Sequence, residues 1–206
     1  MTGKMWKYAA LVMFAVTAAP AAAQLTGYDG VNFVKAVRER DGDKALPLLS
    51  SRAGVVNARD LNGDTALTLA IGRSDSTWTF FLLDRGADPN QPGVNDDTPL
   101  IVAARVGYLE AAEQLLLRKA KVDLANRKGE TPLIAAVQQR RREVVELLLE
   151  YGANPDKTDN VAGLSARDYA KRDSRSREIL ALIEGAKAGP DKPKVKKVED
   201  LNDFKL

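Results

Sequence analysis

The sequence predicts an all-α solenoid of about five helix-turn-helix units with β-turn fingers, preceded by a signal peptide. Two phased series carry this reading. Thr65-Ala66-Leu67, Thr98-Pro99-Leu100 and Thr131-Pro132-Leu133 recur at one constant spacing, their threonines standing at positions 65, 98 and 131. Behind them Leu82-Leu83…Gly86-Ala87-Asp88-Pro89-Asn90, Leu115-Leu116…Ala120-Lys121-Val122-Asp123 and Leu148-Leu149…Gly152-Ala153-Asn154-Pro155-Asp156 keep the same period. Self-similarity at a fixed period of this length marks units that stack. A further copy, Gly163-Leu164-Ser165, follows one position later than the period demands, with one extra residue in its loop.

Each unit has a local reason for its elements. Threonine supplies a hydroxyl for free N–H groups at a helix start, and proline has a fixed φ and no N–H to satisfy. A short apolar helix follows, Leu100-Ile101-Val102-Ala103-Ala104 in the third unit, and Gly107 ends it. Leu109, Ala112, Leu115 and Leu116 form one apolar stripe on the next helix. The Gly-Ala-Asp-Pro-Asn type of ending stops that helix and opens a turn. One such pair cannot bury its apolar face, whereas stacked pairs can.

These motifs resemble the ankyrin repeat family, above all Asp60-Leu61-Asn62-Gly63-Asp64-Thr65-Ala66-Leu67, Asp97-Thr98-Pro99-Leu100-Ile101-Val102-Ala103-Ala104 and Lys128-Gly129-Glu130-Thr131-Pro132-Leu133-Ile134-Ala135-Ala136. The resemblance sets units at 28–59, 60–92, 93–125, 126–158 and 159–186. The first is degenerate, with helices at Val31–Glu39 and Asp43–Leu49 and an exit at Val55-Val56-Asn57. The last, from Ser165-Ala166-Arg167-Asp168-Tyr169-Ala170 to Ile179-Leu180-Leu182-Ile183, reads as a closing repeat. One departure is plain. The family usually places histidine after Thr-Pro-Leu, and here Thr68, Ile101 and Ile134 stand there. Two buried isoleucines are expected to offset the missing hydrogen bonds by about 1.5–3 kcal/mol each. Without histidine, stability is expected to be nearly flat between pH 5 and 8.

Residues 1–23 read as a signal peptide. Lys4 and Lys7 precede an apolar run from Tyr8 to Ala19, and Ala21-Ala22-Ala23 closes the segment before Gln24. An uncleaved anchor is the competing reading, since no charge falls between Tyr8 and Tyr28. Cleavage implies a periplasmic or secreted protein of a bacterium, with 24–27 as a short linker. Cleavage also changes the charge balance from +3 to 29 basic against 28 acidic residues. Nucleic acid is therefore not an expected partner. The segment 187–206 reads as a disordered Lys-rich tail. From Gly185 onward the chain carries six lysines, four acids and two prolines. A short recognition motif at Val198–Leu206 is the alternative.

Composition removes most chemistry. The chain has no cysteine and no histidine, so thiolate catalysis, imidazole acid–base chemistry and ordinary zinc sites are excluded. Ser50-Ser51, Asp96-Asp97 and Asp41-Gly42-Asp43 read as capping and turn residues. No catalytic residue, metal or cofactor is expected. The only methionines are Met1, Met5 and Met13, so the mature chain contains no sulfur. That composition suits an oxidising compartment and tolerance of peroxide.

The resemblance implies a non-enzymatic protein-binding scaffold, expected to be monomeric. Its β-turn fingers and first helices would face a protein partner. Carried over by position, the contact residues are Leu61, Asn62, Asp64 and Arg73 in the second unit, Asn95, Asp97 and Arg105 in the third, and Arg127, Lys128, Glu130, Gln138 and Gln139 in the fourth. Val94 and Val106 share these positions, Val106 as packing. Arg140-Arg141-Arg142 with the basic tail offers an alternative, a surface for anionic membrane or wall polymers; a secreted effector is a third reading. Trp78, Phe80 and Phe81 are expected in the core.

Overall fold

A computed structural model describes residues 26–51 and 54–186. The signal segment 1–23 and the tail 187–206 lie outside the described residues. Among the described residues ten α-helices follow one another in pairs: α1 (Thr26–Glu39) and α2 (Gly42–Ser51), α3 (Ala66–Gly72) and α4 (Ser76–Asp84), α5 (Pro99–Val106) and α6 (Leu109–Leu117), α7 (Pro132–Gln138) and α8 (Arg142–Glu150), α9 (Ala166–Arg172) and α10 (Arg177–Gly185). The first helices α1, α3, α5, α7 and α9 pack in one row, and α4, α6, α8 and α10 in a second. The fold is the expected helical solenoid. Among the described residues no helix is long and apolar enough to cross a membrane.

The helix starts obey the local chemistry. The hydroxyls of Thr98 and Thr131 accept from the N–H of Ile101 and Ile134, each at 3.2 Å, with Pro99 and Pro132 next in the chain. Thr65 and Ser165 form capping boxes with Thr68 and Asp168. Thr68 therefore does different work from the histidine of the family: its hydroxyl reaches the backbone of Thr65, while Ile101 and Ile134 are fully buried.

A different ladder ties the units together. Asn57 accepts from the N–H of Asp88 at 2.7 Å, Asn90 from Lys121 at 2.8 Å, and Asp123 from Asn154 at 3.0 Å. These acceptors recur at the repeat period, so each carries its bond into the next loop. One continuous apolar core runs beneath, from Phe33 and Val37 through Ile71, Leu82, Leu100, Leu115, Ile134 and Leu148 to Ile183.

Three local expectations need correction. Of residues 24–27, expected as a linker, Thr26 and Gly27 already belong to α1, and 24–25 lie outside the described residues. Trp78, Phe80 and Phe81 are only half-buried against the core. Trp78 and Phe81 meet edge-to-face at 5.6 Å, and Arg85 lies 4.6 Å above the Phe81 ring. The three arginines 140–142 are not a free cluster. Arg140 donates to Asp173 at 2.7 Å, Arg141 to the Arg105 carbonyl at 3.4 Å, and Arg142 lies 3.7 Å from Glu178. Each bridges to a neighbouring unit.

The closing unit is pinned by four carboxylates. Hydrogen bonds from Arg167 to Asp156, from Ser165 to Asp168 and from Arg140 to Asp173 hold these acids below the ordinary carboxylate range. Burial pushes Asp159 upward, but the Tyr169 hydroxyl at 2.6 Å and the N–H groups of Val161, Ala162 and Gly163 outweigh it. A depressed folded value means stability that is present above the unfolded value near 4 and lost as pH falls through the folded one. Stability should therefore hold from pH 8 to 5 and fall below about pH 4. The α9–α10 amides should exchange first in acid, which hydrogen exchange at pH 7, 4 and 2.5 would show. Uniform loss of protection along the chain would contradict this.

Candidate functional site

The fingers are built on one repeated device. The Oδ1 atom of Asp60 accepts from the N–H groups of Asn62 and Asp64, each at 2.9 Å. Asn126 does the same for Lys128 and Glu130, at 2.9 and 3.0 Å. Asp159 repeats it with Val161 at 2.9 Å. Such side chains mimic a backbone turn and fix the finger. Gly63 and Gly129 then take positive φ, 90° and 75°, to turn the chain back. Gly129 is also sterically required, since a Cβ there would lie 2.8 Å from the backbone nitrogen of Asn160.

The third finger departs from this rule. Gly93 stands at the Asp60 position, because a side chain would strike Thr68: its Cβ would lie 2.8 Å from the Thr68 hydroxyl. Without the side-chain acceptor, Asn95 and Asp96 themselves take positive φ, 58° and 60°. Asp96 occupies the register that glycine holds in the neighbouring fingers. Asp96→Gly should relieve this strain and lose the exposed Arg127 contact at 3.2 Å. The net effect expected is a stabilisation of up to about 1 kcal/mol in urea unfolding. A loss of stability would mean that the Arg127 contact outweighs the strain.

Between the third and fourth fingers lies a polar cavity of about 230 Å³, lined by Asn95, Asp97, Arg105, Asn126, Lys128 and Glu130. Side chains on a helix lean toward its N-terminus. Arg105, near the end of α5, accordingly reaches back along the inner face to the finger bases. It donates to Asp97 at 2.6 and 3.2 Å and to Glu130 at 2.7 Å. The Asn126 amide donates to the same two carboxylates at 2.7 and 2.9 Å. Hydrogen bonding to Asp97, with Glu130 adding to it, raises Arg105 above its ordinary value despite burial. One cation thus locks two units together, and Lys128 at the rim returns the cavity to charge balance.

Five of the residues expected from sequence meet here: Asn95, Asp97, Arg105, Lys128 and Glu130. Arg127 sits at the rim, held to Asp96. Leu61, Asn62 and Asp64 belong to the second finger, where Arg38 donates to Asp60 and, at 3.1 Å, to Asp64. Arg73 is not the free basic anchor expected. It donates to the carbonyls of Arg38 at 2.7 Å and Val37 at 3.0 Å, closing the end of α1. Gln138 and Gln139 are exposed beyond the cavity, with Gln138 beside Tyr169. Asn126 and Arg38 were not anticipated. Asn126 precedes Asp159 by one full repeat, and Arg38 stands two residues before the positive-φ Arg40 just as Arg105 stands two before the positive-φ Gly107.

Comparison with known proteins agrees with this geometry. The family profile for ankyrin repeats, in three copies, matches residues 22–122 and 73–159. The chain belongs to the ankyrin repeat family. It is 33% identical over 144 residues to an ankyrin repeat-containing protein of Treponema pallidum, covering 68% of this chain and 47% of that one. It is 33% identical over 97 residues to serine/threonine-protein kinase 12 of Arabidopsis thaliana, covering 47% of this chain and 21% of that one. Mouse ankyrin repeat and SOCS box protein 11 is 36% identical over 119 residues, covering 58% of this chain and 36% of that one. The chain spans less than half the length of each of these relatives. Ankyrin repeats are a protein–protein interaction module, and the units here carry that module's inner face and fingers.

Proposed function

We propose that this ankyrin repeat chain is a non-enzymatic scaffold, exported to the bacterial cell envelope, that binds a protein partner across its third and fourth fingers. One observation carries the site. The cavity between those fingers is polar and open, and its walls are already ordered by Arg105, Asp97, Glu130 and Asn126. A prearranged wall costs little entropy when a partner side chain enters. Asn95, Arg127 and Lys128 stand exposed around its mouth. The basic n-region, apolar run and Ala21-Ala22-Ala23 support export, with Gln24 as the first mature residue.

The test is capture from envelope fractions with the mature chain and with an R127E/K128E/N95A variant of equal stability. Recovery of a protein by the first and not the second supports the reading, as does mass spectrometry that finds the native N-terminus at Gln24. Equal recovery by both would move the site elsewhere. Recovery of nothing but anionic lipid or wall polymer would replace the reading.

A further inference from the structure

Five large apolar side chains stand exposed among the described residues, and three of them are on finger tips: Leu61 at 91%, Val94 at 37% and Val161 at 75%. The fourth finger carries exposed Arg127 and Lys128 at its tip instead. Lys128 forms no ion pair among the described residues, and Arg127 remains 73% exposed beside Asp96. The finger edge thus reads apolar in the second and third units, cationic in the fourth and apolar in the fifth. Nothing in the solenoid's own packing requires this row, because fingers need only polar turn residues.

The sequence beyond the described residues carries a complementary pattern. Val195, Val198, Leu201 and Phe204 recur at every third position, separated by Lys196-Lys197, Glu199-Asp200 and Asn202-Asp203. A period of three is neither that of a strand nor that of an α-helix. It is the period of a polyproline II chain, which advances about 9.3 Å per turn of three residues. Pro190 and Pro193 precede the run. Neighbouring helices pack about 8–10 Å apart, so one such turn spans one unit.

The chain also leaves the solenoid in the right place. Ten residues after the last residue of α2, α4, α6 and α8 stand the tip residues Leu61, Val94, Arg127 and Asn160. Ten residues after α10, which ends at Gly185, stands Val195. The spacing in sequence that separates each second helix from its finger tip therefore also separates α10 from Val195.

We infer that residues 198–204 of this chain lie back along its own finger edge as an extended segment. Val198 packs on Val161, Phe204 packs on Val94, and Glu199, Asp200 and Asp203 surround Arg127 and Lys128. The tether supplies the strength: a flexibly linked segment faces its site at an effective concentration on the order of millimolar, so a weak contact is filled. The inference needs no external partner, but it occupies Arg127 and Lys128, so a partner at the site proposed above would have to displace the segment.

The absence of cysteine makes the test direct. In the full chain, Val94→Cys with Phe204→Cys should close an intramolecular disulfide under oxidised glutathione. It should do so about tenfold faster than Leu46→Cys with Phe204→Cys, at a rate independent of protein concentration. Leu46 is also exposed, but on α2 away from the fingers. Adding R127E/K128E should slow closure several-fold. Leu46, Val94, Arg127 and Lys128 are exposed, and unchanged circular dichroism excludes misfolding as the cause. Equal rates for the two cysteine pairs, no effect of the charge reversal, or closure only between molecules would overturn the inference.

Discussion

Replacing Ile134 by alanine should lower the free energy of unfolding by about 3–4 kcal/mol. Ile134 is fully buried, in the middle of α7, and α7 packs between α5 and α9. It stands where the family usually has histidine, so this chain has put a purely apolar group at a position normally used for hydrogen bonding. The removed carbons lose their transfer energy, and the space they leave cannot collapse freely because helices hold it on both sides. In a stacked array each unit is stabilised by its neighbours. The variant should therefore loosen the fourth and fifth units more than the first two. Urea unfolding followed by circular dichroism, with hydrogen exchange assigning the loss to units, checks both statements. A cost below about 1 kcal/mol would mean that the apolar replacement of histidine is not part of the core. Ile134→Val should cost only about 0.5–1.5 kcal/mol.

The repeats were legible because their signals are local. A threonine three residues before the N–H it caps, a proline beside it and a leucine pair one helix later all lie within a single unit, so chain order preserves them. The unit register extended that legibility to the fingers, where Asn95, Asp97, Lys128 and Glu130 share one cavity. What escaped is the pairing between units. Arg73 and Arg105 look alike in sequence, each near the end of a first helix. Arg73 turns to the α1 carbonyls some 35 positions earlier, while Arg105 reaches a carboxylate 25 positions later. The difference follows from their places in the unit. Arg105 is on the inner face within α5, whereas Arg73 lies one residue past α3 and points to the preceding unit. The Arg140–Arg142 run escaped for the same reason: Asp173 and Glu178, which engage it, lie in the next unit. Composition shows a charge cluster; only the stacking shows that it is compensated.

Arg105→Met should cost about 2–3 kcal/mol at pH 7. The guanidinium binds Asp97 twice and Glu130 once, from a side chain roughly two-thirds covered. Methionine keeps much of the stem's packing, so the loss isolates charge from volume. Two half-buried carboxylates then face each other across the Asn126 amide with no cation between them. Complete burial would make this more costly; partial exposure and salt screening reduce it. Urea midpoints of both proteins at pH 7 measure the cost. Adding Glu130→Gln to Arg105→Met should restore most of the loss at pH 7, because a neutral amide no longer repels Asp97. If the gap between the proteins survives Glu130→Gln, Arg105 acts by packing alone. The lock between the third and fourth units would then be steric, and the cavity's order would rest on Asn126.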